Sequence, residues 1–416
     1  SLHRLKFIKE TEYKKLREAY IFLRDLENRV QISFGLQTHV LPEDKLLLAV
    51  LSRKMNIVGK SIEELNEKLN NKFIGHTKFV SDIFSELFKK EQEGKVGEHT
   101  SKIAKIRSLN EGVLERAFFQ NNKNALKFLK SLRDGPISSH PTEKSINDFY
   151  SILPKILERC SEVPMPNSAV ENLAKFIESS KARESFLGLF AENEKFLELL
   201  LQIFGSSNFI SDILIKQPGL IDTIKDIESI YRFKSKENLY KEISEILKTG
   251  NNYKAKQNIL RQFKQGEELR IGIRYIIGEA DIEGTLKDLS SLAETHIENA
   301  YKISFEKLRT QYEKEKKIPD SFAIIGMGKL GGREINFKSD LDLIFVYEGT
   351  PNDSFFSEDV VFFYTKISQL LHELTSQVTS SGYVYKIDSD LRAEGKSGRM
   401  VNSIKRYEDY YKKRAR

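Results

Sequence analysis

Two aspartates one residue apart, Asp340 and Asp342, lie in the segment FAIIGMGKLGGREINFKSDLDLIFVYE (322–348), after a glycine-rich turn and at the head of an apolar run. Alternate residues of a strand share a face, so the two carboxylates aim side by side while Leu341 and Leu343 face a core. Converging carboxylates hold hard divalent cations such as Mg²⁺, and two such ions can grip a nucleotide triphosphate. A third acid, Asp388, ends a later run, YVYKID (383–388). These residue types in this order point to nucleotidyl transfer. Asp340 and Asp342 would bridge two Mg²⁺ ions, and Asp388 would bind the second ion and is the candidate to accept a proton from an attacking hydroxyl.

The turn supplies the phosphate side. Gly326 and Gly328 bring backbone N–H groups toward phosphate oxygens, and Gly331, Gly332 and Ser339 complete the candidate nucleotide-binding set. Lys329, Arg392 and Lys396 are candidates to neutralise charge building on a leaving pyrophosphate. The glycines also satisfy G-x-G-x-x-G, the dinucleotide fingerprint. Only nine residues separate Gly331 from Leu341, too few for the crossover helix that fold requires. A Walker A loop fails as well, because Lys329 lacks both the preceding spacing and a following Ser or Thr.

The elements that must position these groups form an α/β region from Pro319 onward. Residues 322–326, 341–348 and 383–388 read as strands of a mixed sheet. Residues 357–378 read as an amphipathic helix with Ser357 as its N-cap. Everything before is helical in pattern. Residues 11–34 carry Leu16, Ala19, Tyr20, Leu23, Leu26 and Val30 at helical spacing, with Gly35 as a stop. Ser61-Ile-Glu-Glu looks like a capping box. Residues 89–102 lose apolar periodicity and read as a linker. A second helical block spans 103–313, punctuated at Asp134-Gly-Pro, Pro164/Pro166, Gly205-Ser-Ser-Asn and Gln217-Pro-Gly. In it Phe196, Leu197, Leu200, Leu201 and Phe204 form one stripe, read as bundle core. Gly205 ends that helix, and Ser206 or Ser207 caps the next. The expected layout is a helical domain at 1–92, a helical bundle at 93–313 and a nucleotidyltransferase domain at 314–416.

Composition narrows the class. The 416 residues are 39% hydrophobic and 31% charged with a net charge of +7, as in a globular protein with room for several cores. No apolar run reaches the length of a membrane span, and SLHRLKFIKE is not a signal peptide. The positive charge is spread along helical faces, without the basic–aromatic stripe of a nucleic-acid binder. Cys160 stands alone, which excludes internal disulfides and fits a cytoplasmic setting; its helical context marks it as a small buried residue rather than a nucleophile. His39, His140 and His372 are read as structural, because no His, Cys or carboxylate spacing supports a zinc site. The chain starts without Met and stops inside a helical pattern, so it is expected to be a piece of a longer protein.

With these residues in view, the chain resembles the glutamine synthetase adenylyltransferase family, whose members add AMP to a glutamine synthetase tyrosine and also remove it. The resemblance rests on GMGKLGGREINFKSDLDLIFVY (326–347) and IDSDLRAEGKSGRMVNS (387–403), and covers nearly the whole chain. In the second segment Asp388, Arg392, Gly395 and Gly398 match, while Asp390 stands where the family usually has Arg and Ala393 where it usually has Pro. Residues 182–224 are similar to the helical stretch ahead of a nucleotidyltransferase domain in this family. Residues 19–42 are similar to the segment after its first such domain, with Asn28 in place of a usual His. The resemblance implies helical bundles followed by a polymerase-β-like domain with a small mixed sheet. It also implies ATP as AMP donor, glutamine synthetase as protein substrate, and control by glutamine and the PII signal protein. The catalytic domain resembles the adenylylating half. Phosphorolytic removal of AMP, and a catalytically silent docking module, are the alternatives this reading leaves open; an RNA nucleotidyltransferase shares the D-x-D logic but lacks support from the charge pattern.

Overall fold

The computed structural model describes residues 10–34, 41–42, 44–86, 114, 119, 121–135, 141–225, 230–312, 321–348, 358–379 and 382–413. Gly35, His39, the 89–102 segment, His140, Pro319 and Ser357 lie outside them. The chain divides into two compact units, residues 1–230 with 272–282 and residues 231–271 with 283–416. This grouping differs from the sequence segments 1–92, 93–313 and 314–416: helical residues 231–271 and 283–312 fold with the strands.

The first unit holds α1 (Glu10–Phe34), α2 (Lys45–Lys54), α3 (Ile62–Glu86), α4 (Asn122–Asp134), α5 (Glu143–Glu162), α6 (Pro166–Ser180), α7 (Arg183–Glu192), α8 (Glu194–Phe204), α9 (Asn208–Lys216) and the single turn α10 (Ile221–Lys225). Their ends follow the local chemistry. The Glu64 N–H donates to Ser61 Oγ, and the Glu64 carboxylate reaches back to the Lys60 N–H, a capping box displaced by one residue. Gly135 closes α4 with φ +73, and Pro166 opens α6. Ser207, rather than Ser206, caps α9 by accepting from the Ile210 N–H. The stripe on α8 is core: Phe196, Leu197, Leu200, Leu201 and Phe204 are all buried. On α1, Ala19, Leu26 and Val30 are buried, but Tyr20 is 42% exposed, with the Arg24 guanidinium over its ring. Among the described residues no single helix is long and apolar enough to cross a membrane; the bent pair α8 and α9 reaches that length and composition only jointly.

Cys160 lies on α5 with no exposed surface. Burial pushes its thiol above the ordinary range, which suppresses the reactive thiolate. An aromatic disulfide reagent is therefore expected to leave Cys160 unmodified in the native protein and to label it fully in denaturant; rapid native labelling would contradict this packing.

The second unit begins with α11 (Lys236–Lys248), α12 (Tyr253–Ile276) and α13 (Ile282–Tyr312), the described boundary residues at 272–282 belonging to the first unit. Then come β1 (Phe322–Gly326), the short α14 (Gly328–Gly331), β2 (Leu341–Tyr347), α15 (Glu358–Ser376), β3 (Ile387–Asp388), β4 (Val401–Ser403) and α16 (Ile404–Lys413). The sheet is mixed: β1 runs antiparallel along β2, and β3 and β4 both pair parallel with β2. The third expected strand, 383–388, shrinks to Ile387–Asp388. Residues just before it turn to serve α15 instead: the Val384 and Tyr385 N–H groups both donate to Thr375 O. Strand β4 was not foreseen.

Aromatic rings explain why helices join the sheet. Phe322 of β1 stacks on Tyr301 of α13 at 5.8 Å and on Tyr364 of α15 at 4.8 Å, and Phe305 meets Phe363 edge-on at 5.8 Å. Each of these large apolar surfaces covers part of another and keeps it from water. His296 of α13 sits buried with its ring nitrogens facing Leu292 O and Leu260 O, tying α13 to α12.

Candidate active site

Strand β2 is buried along its length except at Asp342 and Tyr347, which are half-buried. Leu341, Leu343 and Phe345 are fully buried on one side. On the other, Ile344 and Val346 pack with Ala393 and Tyr407. Asp340 and Asp342 share the latter side by strand alternation but lie beyond that cluster and are half-buried. The register places Asp388 of β3 directly beside Asp342. The three expected carboxylates are thus brought to one end of the sheet. Desolvation raises the Asp342 carboxyl above its usual range, the charges of Asp388 and Asp340 push it further, and Lys329 opposes them.

The glycine turn is fitted to this group. The Met327 N–H donates to Asp342 O at 2.8 Å, so the chain leaving β1 stays bonded to β2. Gly328 has φ +52, and a Cβ there would lie 2.1 Å from Asp342 Oδ2. A Cβ on Gly331 would lie 2.7 Å from Gly326 O. Only hydrogen at these two positions lets the turn lie against the carboxylate and against its own entering strand. Gly332, with φ −77, carries no such constraint. Gly328→Ala is expected to lower stability by about 1–3 kcal/mol from left-handed strain and the clash with Asp342. Gly332→Ala, which would meet only the Glu334 side chain, should stay close to the parent; equal melting temperatures for the two variants would refute this account.

The loop from 332 to 340 is bolted to α13. Arg333 pairs with Glu294 at 3.2 Å and donates to Ser291 Oγ at 3.0 Å, and the Ile335 N–H donates to Ser290 Oγ. Ser339 is buried and accepts from the Asn336 N–H. It closes the turn that delivers Asp340, a positioning use of a residue expected on the phosphate side. Asn336 was missed by sequence reasoning: it is buried, and neither polar atom of its amide finds a partner among the described residues. No local pattern marks such a residue.

Arg392 also turns out to be occupied within its own loop. Its guanidinium donates to Gly398 O, to Ser389 O and Oγ, and to Lys396 O. It folds residues 389–398 into one clamp. Lys396 is 84% exposed and pairs with Asp390 Oδ2 at 3.1 Å, so the departure at Asp390 has an ion-pair partner. The Asp390 N–H in turn donates to Asp388 Oδ1 at 2.7 Å. Lys329 lies in α14 and is half-buried. His372 is half-buried on α15.

Among the described residues no group of three or more His, Cys, Asp or Glu side chains forms a ready metal cage. Asp340, Asp342 and Asp388 share one rim without converging on a point. Their mutual repulsion at Asp342 is nonetheless the electrostatic state that a divalent cation relieves, and an all-oxygen donor set suits Mg²⁺.

Comparison with known proteins found two family models and a set of named relatives. A family model described as "Glutamate-ammonia ligase adenylyltransferase" matches residues 197–416, and one described as "GlnD PII-uridylyltransferase" matches residues 1–88. The chain is 26% identical over 421 residues to a protein of Thioalkalivibrio sulfidiphilus named bifunctional glutamine synthetase adenylyltransferase/adenylyl-removing enzyme, covering 95% of this chain and 43% of that protein. Proteins of the same name from Neisseria meningitidis, 27% identical, and Nitrosococcus oceani, 26% identical, also match over 95% of this chain and over 43% and 42% of their own lengths. The chain therefore spans less than half the length of these relatives.

Proposed function

This chain belongs to the glutamate-ammonia ligase adenylyltransferase family, and on that premise we propose that its second unit transfers AMP from ATP to a tyrosine of glutamine synthetase. The observation that carries this reading is the placement of Asp342 beside Asp388 in register, with Asp340 on the same side and Gly328 fitted against Asp342. The tyrosine oxygen bonds to the α-phosphorus, and the oxygen bridging the α- and β-phosphates departs with pyrophosphate. In this reading Asp388 takes the hydroxyl proton on one oxygen, while its other oxygen accepts from the Asp390 N–H. The Gly328 end of the turn and Lys329 are assigned to the triphosphate side, since the Met327, Gly331 and Gly332 N–H groups already donate to Asp342 O, Met327 O and Gly328 O. Arg392 serves by shaping the loop that carries Asp388.

Asp340, Asp342 and Asp388 would hold Mg²⁺, which when bound lowers the pKa of a coordinated hydroxyl and neutralises phosphate charge. The relatives' shared name covers adding and removing AMP, so the reverse reaction, phosphate attack releasing ADP, is the second reading. The setting proposed is cytoplasmic, with the PII signal protein and glutamine as effectors; the match of residues 1–88 to a PII-uridylyltransferase family model supports the first of these.

Incubation with Mg²⁺, α-labelled ATP and unmodified glutamine synthetase tests the proposal. Label on glutamine synthetase supports the adenylylating reading. Absence of label, with ADP released from pre-adenylylated enzyme and phosphate, would replace it with the removing one. Absence of both reactions, with glutamine synthetase still bound, would leave a docking module.

A further inference from the structure

Within the first unit lies a cavity of about 300 Å³ whose lining includes Arg29, Arg53, Lys54, Arg159, Glu162 and Tyr275. Four cations thus face one carboxylate. Two of the four are matched: Arg159 pairs with Glu162, and Arg29 pairs with Asp25 at 2.9 Å while lying over the Tyr275 ring. The other two have no carboxylate partner among the described residues. Lys54 is 4% exposed, and its ammonium donates to Ser33 Oγ at 2.6 Å, one acceptor for three N–H donors. Among the described residues Arg53 reaches only backbone carbonyls, Pro164 O at 3.4 Å and Ser161 O at 3.5 Å. The Nε of Arg159 is buried without a partner among the described residues.

Burying cations side by side without counter-charge is costly, and a paired, hydrogen-bonded anion offsets that cost. Burial and the nearby Arg29 push the Lys54 ammonium well below its ordinary range, the direction an uncompensated site gives. Liquid water occupies about 30 Å³ per molecule, so the space admits a ligand of roughly ten heavy atoms. A water-filled cavity would leave the charge unanswered; a small acid would not.

We propose that this cavity binds a small oxyanion, a carboxylate or phosphate group, held by Lys54 and Arg53. The cavity's lining belongs to the first unit and the nucleotidyl-transfer residues to the second, and the inference does not depend on that reading. Hydrogen exchange of the whole chain, followed by mass spectrometry with millimolar inorganic phosphate or glutarate, tests it. Slower exchange is expected in peptides spanning 45–58 and 156–166, with whichever anion protects them identifying the ligand class. Lys54→Met should weaken that anion's binding about tenfold or more, the loss of one charged hydrogen bond. Arg53→Gln, at a less buried position, should do the same if Lys54→Met fails to fold. The bound anion should also raise the melting temperature of the parent but not of the variants. No protection by either anion, protection confined to 322–347, or unchanged affinity in both variants would overturn the proposal.

Discussion

An Asp340→Asn/Asp342→Asn protein is expected to fold as the parent does and to lose AMP transfer by at least about a thousandfold, the scale of several kcal/mol of lost charge stabilisation. The two carboxylates are the densest negative charge on the rim, and Asn matches their shape while removing it. Stability should move the other way. Desolvation, then Asp388 and Asp340, raise the Asp342 carboxyl in the folded state. A carboxyl raised on folding binds its proton more tightly in the native state than in the unfolded one. Its contribution is therefore present at low pH and lost as pH rises through the folded value. At neutral pH the parent carries that cost and the Asn protein does not, so its melting temperature should equal or exceed the parent's. Retained transfer by a folded variant would remove these residues from the chemistry. A sharp fall in melting temperature would show instead that they hold the sheet end together.

Replacing Arg261 by Met is expected to destabilise the second unit by about 3–5 kcal/mol, read as a lowered urea midpoint. Arg261 has no exposed surface. Its guanidinium donates to Gly382 O at 2.9 Å, to Gln257 O at 3.0 Å and to Gln377 O at 2.7 Å. Met fills much of the same space but cannot donate, so buried carbonyls lose their partner, which costs more than the bond's net worth. Two of these acceptors flank the turn between α15 and β3. The variant should therefore also lose transfer activity as Asp388 drifts from Asp342, even at temperatures where it remains folded. An unchanged midpoint would mean that water or another donor takes over the carbonyls.

Wherever the physics is local, the sequence foretold the structure. The α8 stripe, Gly135, Pro166 and the Ser61 box follow from helical period and from donors left bare at helix ends. Strands β1 and β2 follow from short apolar runs. The pairing of Asp340 with Asp342 on one side follows from strand alternation alone. The reach of 383–388 did not: in the parallel register residues 383–386 fall opposite 337–340, before β2 begins at Leu341, so only Ile387 and Asp388 find a strand to pair with.

The parts played by Arg392 and Ser339 were equally hidden, since a cation near a phosphate turn and a cation spent on its own loop look alike in sequence. Arg261 bonds to residues more than a hundred positions away, and Lys54 shares its cavity with Arg159. The sequence by itself determined the two-carboxylate strand, the glycine turn before it and the helical character of what precedes them, because each depends on neighbours within a few residues. Only the tertiary structure decided the register that sets Asp388 beside Asp342, which arginines are structural, and where buried cations collect. Those outcomes depend on which distant carbonyls, rings and charges the fold brings within a few ångströms, and burial is what makes each of them matter.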